Sequence, residues 1–138
     1  MMERKDFIKQ GCLACMTFIG AGVLLESCSP GLPLIKTAAD AKTLSVPLSK
    51  FSGNLLVVRG SGLENDILLI KNQNGYKALN LKCTHEGVGL TATDKKIFCS
   101  AHGSVFDFDG KVLKEPALRP LTEFQTEVTN ENIIIHLI

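Results

Sequence analysis

Two short clusters constrain this chain more than any other feature: Cys83-Thr84-His85 and Cys99-Ser100-Ala101-His102. As a pattern they read C-x-H-x13-C-x2-H. Each puts one thiol and one imidazole on a few residues of chain. A fold that uses them together must set two tight loops side by side. Zinc accepts two sulfurs and two nitrogens, but its sites usually pair Cys with Cys and His with His. These clusters mix the two kinds, which fits zinc poorly. A Cys83–Cys99 disulfide is open to a chain in an oxidising compartment, yet it leaves both histidines unexplained. A centre with sulfur on one side and nitrogen on the other uses all four residues.

The flanks narrow the reading. The second cluster runs on as Gly103-Ser104-Val105-Phe106-Asp107, and Glu115-Pro116-Ala117-Leu118-Arg119-Pro120-Leu121 follows. In this order the three segments resemble a Rieske iron–sulfur protein, whose [2Fe–2S] cluster has Cys on one iron and His on the other. The resemblance covers about residues 44–138. It implies one [2Fe–2S] cluster per chain, with Cys83, His85, Cys99 and His102 as metal ligands. It also implies that Ser104 donates a hydrogen bond to a bridging sulfide, and that the 115–121 stretch covers the cluster. The fold it implies is all-β: a small antiparallel sandwich or barrel with a cluster-binding subdomain inserted at about 79–120.

Two departures from the family pattern matter. Many members tie the two ligand loops with a disulfide, and the matching places here hold Val88 and Ala101. The chain therefore resembles the variants that lack the bridge rather than the high-potential respiratory type. A family Tyr that donates to a ligand sulfur is replaced by Phe106. Two neutral imidazoles in place of two thiolates leave the centre less negative, so an electron is easier to add. Rieske centres lie at about −150 to +300 mV, against about −400 mV for plant-type ferredoxins. Losing the Tyr donor moves the expectation below the top of that range. Oxidised iron also makes the free N–H of each imidazole easier to ionise, so the midpoint falls as pH rises.

The rest of the chain is consistent with a loop-rich β domain. It has 138 residues, 12 of them Gly, no Trp and a net charge of +1. That length suits one domain. No basic run is available to grip phosphate, so nucleic acid is not an expected partner. Strand-like runs at Leu55–Val58, Ile67–Ile70 and Tyr76–Leu81 alternate with turn signals. Lys95–Phe98 leads into the second cluster, and 124–128 with 133–138 reads as a terminal hairpin turning near Asn130. His136, the third histidine, reads as an ordinary strand residue.

The start of the chain reads as a targeting segment. Arg4, Lys5 and Lys9 precede an uncharged, mostly apolar run from Gly11 to Leu25. A helix needs about 20 apolar residues to span a bilayer, so a signal peptide over 1–27 fits better. Leu25-Glu26-Ser27-Cys28 resembles a bacterial lipoprotein box, apart from Glu26. It makes Cys28 the expected lipidated first residue, followed by a tether over 28–43. Cleavage near Ala38-Ala39 and an uncleaved anchor are the alternatives. Arg4-Lys5-Asp6-Phe7-Ile8-Lys9 resembles a twin-arginine export signal with Lys for the second Arg, and leaves the export route open. Cys12 and Cys15 lie within the apolar run and read as filler.

The resulting expectation is an exported one-electron carrier, lipid-anchored on the periplasmic side of a bacterial membrane and serving an unidentified redox partner. The alternative is the iron–sulfur subunit of a cytochrome bc-type or arsenite-oxidase-like complex. A zinc-holding structural module ranks last. No nucleophile motif, phosphate loop or second metal site suggests an independent catalytic centre. A ring-hydroxylating oxygenase needs a further iron domain, for which 138 residues leave no room.

Overall fold

A computed structural model describes residues 31–137. The expected signal peptide (1–27), Cys12, Cys15 and the Cys28 lipidation site lie outside the described residues. The strands are β1 Leu34–Ala38, β2 Thr43–Pro47, β3 Leu55–Ser61, β4 Ile67–Asn72, β5 Gly75–Asn80, β6 Thr91–Ala92, β7 Ile97–Phe98, β8 Val105–Phe106, β9 Val112–Lys114, β10 Glu123–Val128 and β11 Asn132–His136. Seven of them form one sheet in the order β1-β3-β4-β5-β10-β11-β2. Its two ends meet through an Ala39–Leu44 bridge and a bond from Thr37 Oγ1 to Ser45 O at 3.1 Å, so the sheet nearly closes into a barrel. The other four make a small sheet, β6-β7-β8-β9, inserted between β5 and β10. The all-β fold read from the sequence is the fold found, with one parallel pair, β1 on β3, in an otherwise antiparallel arrangement.

The sheet of β3, β4 and β5 is a wall shared by two cores. Side chains alternate between the faces of a strand, and the register aligns like with like. Leu56 pairs with Leu69 and Val58 with Ile67, and these point into the barrel with Leu44, Val46, Ile133 and Ile135. Val57 pairs with Leu68, and Leu68 with Leu79. These point outward, against Leu81, Cys83, Ile97, Cys99 and Phe106. That is why Ile67-Leu68-Leu69-Ile70 is an unbroken apolar run: both faces of β4 are covered.

One expected boundary needs correction. The stretch read as a tether over 28–43 contains β1, and Thr43 opens β2. Pro30, Gly31 and Pro33 suggested a linker, but Ile35 behind them packs on the barrel core. Val57 N–H donates to Pro33 O at 2.9 Å, so pairing begins at the proline itself, which needs no donor there. The terminal hairpin forms as β10 and β11 with Val128 opposite Ile133. His136 is an exposed strand residue whose Nε2 lies 3.6 Å from Glu127 Oε2.

Candidate metal centre

The two mixed clusters stand on loops of one backbone plan. In the first, Gly87 N–H donates to Cys83 O at 2.8 Å and Cys83 N–H to Val88 O at 2.8 Å. In the second, Gly103 N–H donates to Cys99 O at 3.0 Å and Cys99 N–H to Ser104 O at 2.9 Å. Each loop thus closes on its own cysteine. So tight a closure takes a left-handed residue, supplied by Gly87 (φ 74°) and Gly103 (φ 80°), because glycine has no Cβ to clash there. The bases of the loops are held by the small sheet, where Thr91 pairs with Phe98 and Phe98 with Val105.

This plan sorts the four side chains by solvent. Cys83 and Cys99 are free thiols, 3% and 1% exposed, set in the outer core. His85 and His102 are exposed, with ring centres 5.0 Å apart and planes at 89°. Nitrogen atoms of both and a carboxylate oxygen of Glu86 lie within 4.8 Å of one another. Glu86 Oε2 is 3.7 Å from His102 Nδ1. Two sulfurs therefore face the protein interior and two nitrogens face water. That split suits a centre with unlike ends, buried at the thiolates and open at the imidazoles.

The local electrostatics favour the thiolate of Cys99. Burial pushes the Cys99 thiol up. Against it, the neighbouring backbone N–H groups of His102 and Ala101 and the Cys83 thiol hold it below the ordinary thiol range. The deprotonated thiol is the form that ligates. Gly87 and Gly103 use their own amides on the cysteine carbonyls, and the amides that lower the Cys99 thiol are those of Ala101 and His102, just before Gly103.

Ser104 is fully buried, and its Oγ accepts from Ala117 N–H at 3.0 Å. Its hydroxyl hydrogen remains available to donate. Phe106 is equally buried against the cysteines and has no hydrogen to offer. The 115–121 stretch arches beside both loops. Ala117 and Leu121 are anchored in the outer core, while Leu118 is 80% exposed. Thr84 Oγ1 donates to Arg119 O at 2.6 Å, tying the arch to the first loop. Sequence reasoning missed Thr84, Glu86 and Leu118. Glu86 was signalled by its place next to His85. The Thr84 bond, spanning 35 residues, had no local signal.

A β domain that sets buried thiols and exposed imidazoles on paired loops beneath a proline arch defines an iron–sulfur protein. The chain belongs to the Rieske [2Fe–2S] domain family, whose profile matches residues 47–125. It is 32% identical to the cytochrome b6-f complex iron-sulfur subunit of Synechococcus elongatus, over 97% of this chain and 84% of that one. The corresponding subunit of Desmonostoc is 27% identical over the same shares. Among solved structures it resembles the plasma membrane Rieske protein PetC3 of Synechocystis, at 33% identity and a TM-score of 0.47, over 52% of this chain and 77% of that one. The cofactor is a [2Fe–2S] cluster, and the function is one-electron transfer through it.

Proposed function

We propose that Cys83 and Cys99 hold one iron of the cluster, and that His85 and His102 hold the other and present it to a partner. The observation that carries this is the burial split, with both thiols buried and both imidazoles exposed. The bound cluster supplies storage for a single electron at a moderate potential. The chain's own groups tune it. N–H groups of Ala101 and His102 near the Cys99 sulfur, and the hydroxyl of Ser104, stabilise negative charge and so favour the reduced state. Phe106 contributes no such donor, which lowers the midpoint relative to a chain with Tyr there. Leu118 on the arch and Val88 on the first loop are exposed and give a partner apolar surface to close on.

The partner we infer is a membrane complex of the cytochrome bc type, in which this chain acts as the iron–sulfur subunit. The relatives from Desmonostoc and Synechococcus are iron-sulfur subunits of the cytochrome b6-f complex. The shortened tether supports a domain held close to its membrane. If Cys28 carries the lipid after removal of 1–27, only residues 29–33 separate it from β1. That span reaches at most roughly 20 Å at ~3.5 Å per residue. The domain is then held on the periplasmic face of its membrane, within reach only of partners in or on it. Among the described residues no helix is long and apolar enough to cross a membrane.

Purification of the native protein in mild detergent tests both parts. A cytochrome-containing complex that retains this chain, with diacylated Cys28 as its first residue, is the expected result. An unmodified Cys28 behind an intact leader rules out the lipid. A cluster-bearing chain that always purifies alone rules out the complex.

A further inference from the structure

We propose that Thr84 is a positioning residue, whose hydroxyl fixes the spacing of the two metal-binding loops by clasping the proline arch. This rests on the cluster assignment above. Thr84 stands between two proposed ligands, yet its own side chain bonds away from them, to Arg119 O at 2.6 Å.

The loops have little else to hold their tips together. Their bases are tied by β6 and β7, but each tip closes only on itself. The two cysteines that face each other are free thiols, and Val88 and Ala101 offer no covalent tie. Contacts that bring the tips together include His85 with His102 and Glu86 with His102, with Cys83 and Cys99 packed in the same cluster. Every one of these involves a proposed metal ligand. None can fix the spacing independently of the metal.

The arch offers an independent tie. Ala117 N–H donates to Ser104 Oγ on the second loop, and Arg119 O accepts from Thr84 on the first. Leu121 N–H donates to Gly110 O at 2.8 Å. These bonds all run outward, to other segments. Pro116 and Pro120 have no N–H. The arch therefore has little support of its own and takes its position from its neighbours. Remove the Thr84 bond, and residues 118–120 keep no hydrogen bond to the first loop.

A hydroxyl clasp and a packing contact make opposite predictions for two variants. Thr84→Val keeps the shape and loses the donor, whereas Thr84→Ser keeps the donor and loses the methyl. The loaded full-length protein is followed by loss of visible absorbance in chelator, and its midpoint is titrated. Amide hydrogen exchange is measured at Leu118 and Arg119. A single neutral hydrogen bond is worth a factor of roughly three to ten. Thr84→Val should lose its cluster faster by that factor, exchange faster at both amides and shift its midpoint. Thr84→Ser should stay within about twofold of the parent, as the retained hydroxyl bond requires. If Thr84→Val does not fold, Thr84→Ala is read against Thr84→Ser, from which it differs only by the hydroxyl. A parent-like Thr84→Val, or an impaired Thr84→Ser beside it, overturns the clasp and leaves a packing role. A parent protein without iron overturns the cluster assignment instead, so the two failures are distinct.

Discussion

The barrel and the inserted subdomain share one wall and are built on opposite terms. The barrel is made of strands of five to seven residues, joined over long registers around a core of Leu, Ile and Val. The insert has strands of two or three residues, and its loops are fastened by backbone bonds at glycine. Its core includes the two thiols themselves. The barrel therefore needs no cofactor to account for its packing. The insert buries reactive groups that are best satisfied by metal. The shared wall explains how one chain combines them: β4 turns Ile67 and Leu69 to the barrel, and Leu68 and Ile70 to the centre.

The sharpest way to break this comparison is to remove a ligand. Cys99→Ser or His102→Ala should abolish the visible absorbance and the bound iron while leaving a β-rich barrel by circular dichroism. Collapse of the whole fold would show that the barrel depends on the centre.

Next come matched truncations on the two sides of the wall. Ile135→Ala should cost about 2–5 kcal/mol, and Phe106→Ala about 3–5 kcal/mol, from lost burial and the cavities left. Denaturant unfolding should find both. Only Phe106→Ala should also speed cluster loss, because Phe106 packs with Cys83 and Cys99. Equal cluster loss in both variants would merge the two regions into one unit.

A smaller effect concerns the potential. Phe106→Tyr, with a hydroxyl that reaches the sulfur, should raise the midpoint, since a donor to sulfur favours the reduced form.

The smallest effect tests a seam between the regions. Lys77 on β5 bonds Asp109 at 2.7 Å, in the turn between β8 and β9. Each holds the other charged: Asp109 is pulled below the usual carboxylate range, and Lys77 is raised. The pair's contribution is present above the unfolded carboxylate value and lost as pH falls through the folded one. At the alkaline end it is lost as pH rises through the folded Lys77 value. Asp109→Asn should thus lower the melting temperature slightly at neutral pH, and not at all at pH 2. Exposed pairs are weak, so a large loss would mean that the seam carries more than the wall does.

Much of this was legible in the sequence, and the reason is local. The strands Leu55–Val58, Ile67–Ile70 and the last hairpin announce themselves by apolar runs between turn residues. Cys and His spacing marks the loops, because both donors sit within three residues of each other. What was hidden depends on partners far along the chain. Leu34–Ala38 is a strand only because β3 is there to receive it, in a parallel pairing that no turn signal could reveal. The clasp between Thr84 and Arg119, and the docking of Ser104 under Ala117, are likewise products of tertiary closeness.

The central claim is that two histidines complete an iron centre begun by two buried cysteines. Electron–nuclear double resonance on the reduced protein, grown with 15N-histidine, tests it most directly. A [2Fe–2S] signal coupled to two distinct histidine nitrogens is expected, with both couplings lost together with the cluster in His85→Ala. A [2Fe–2S] signal without nitrogen coupling, or stoichiometric zinc in protein grown with ample iron, would contradict it.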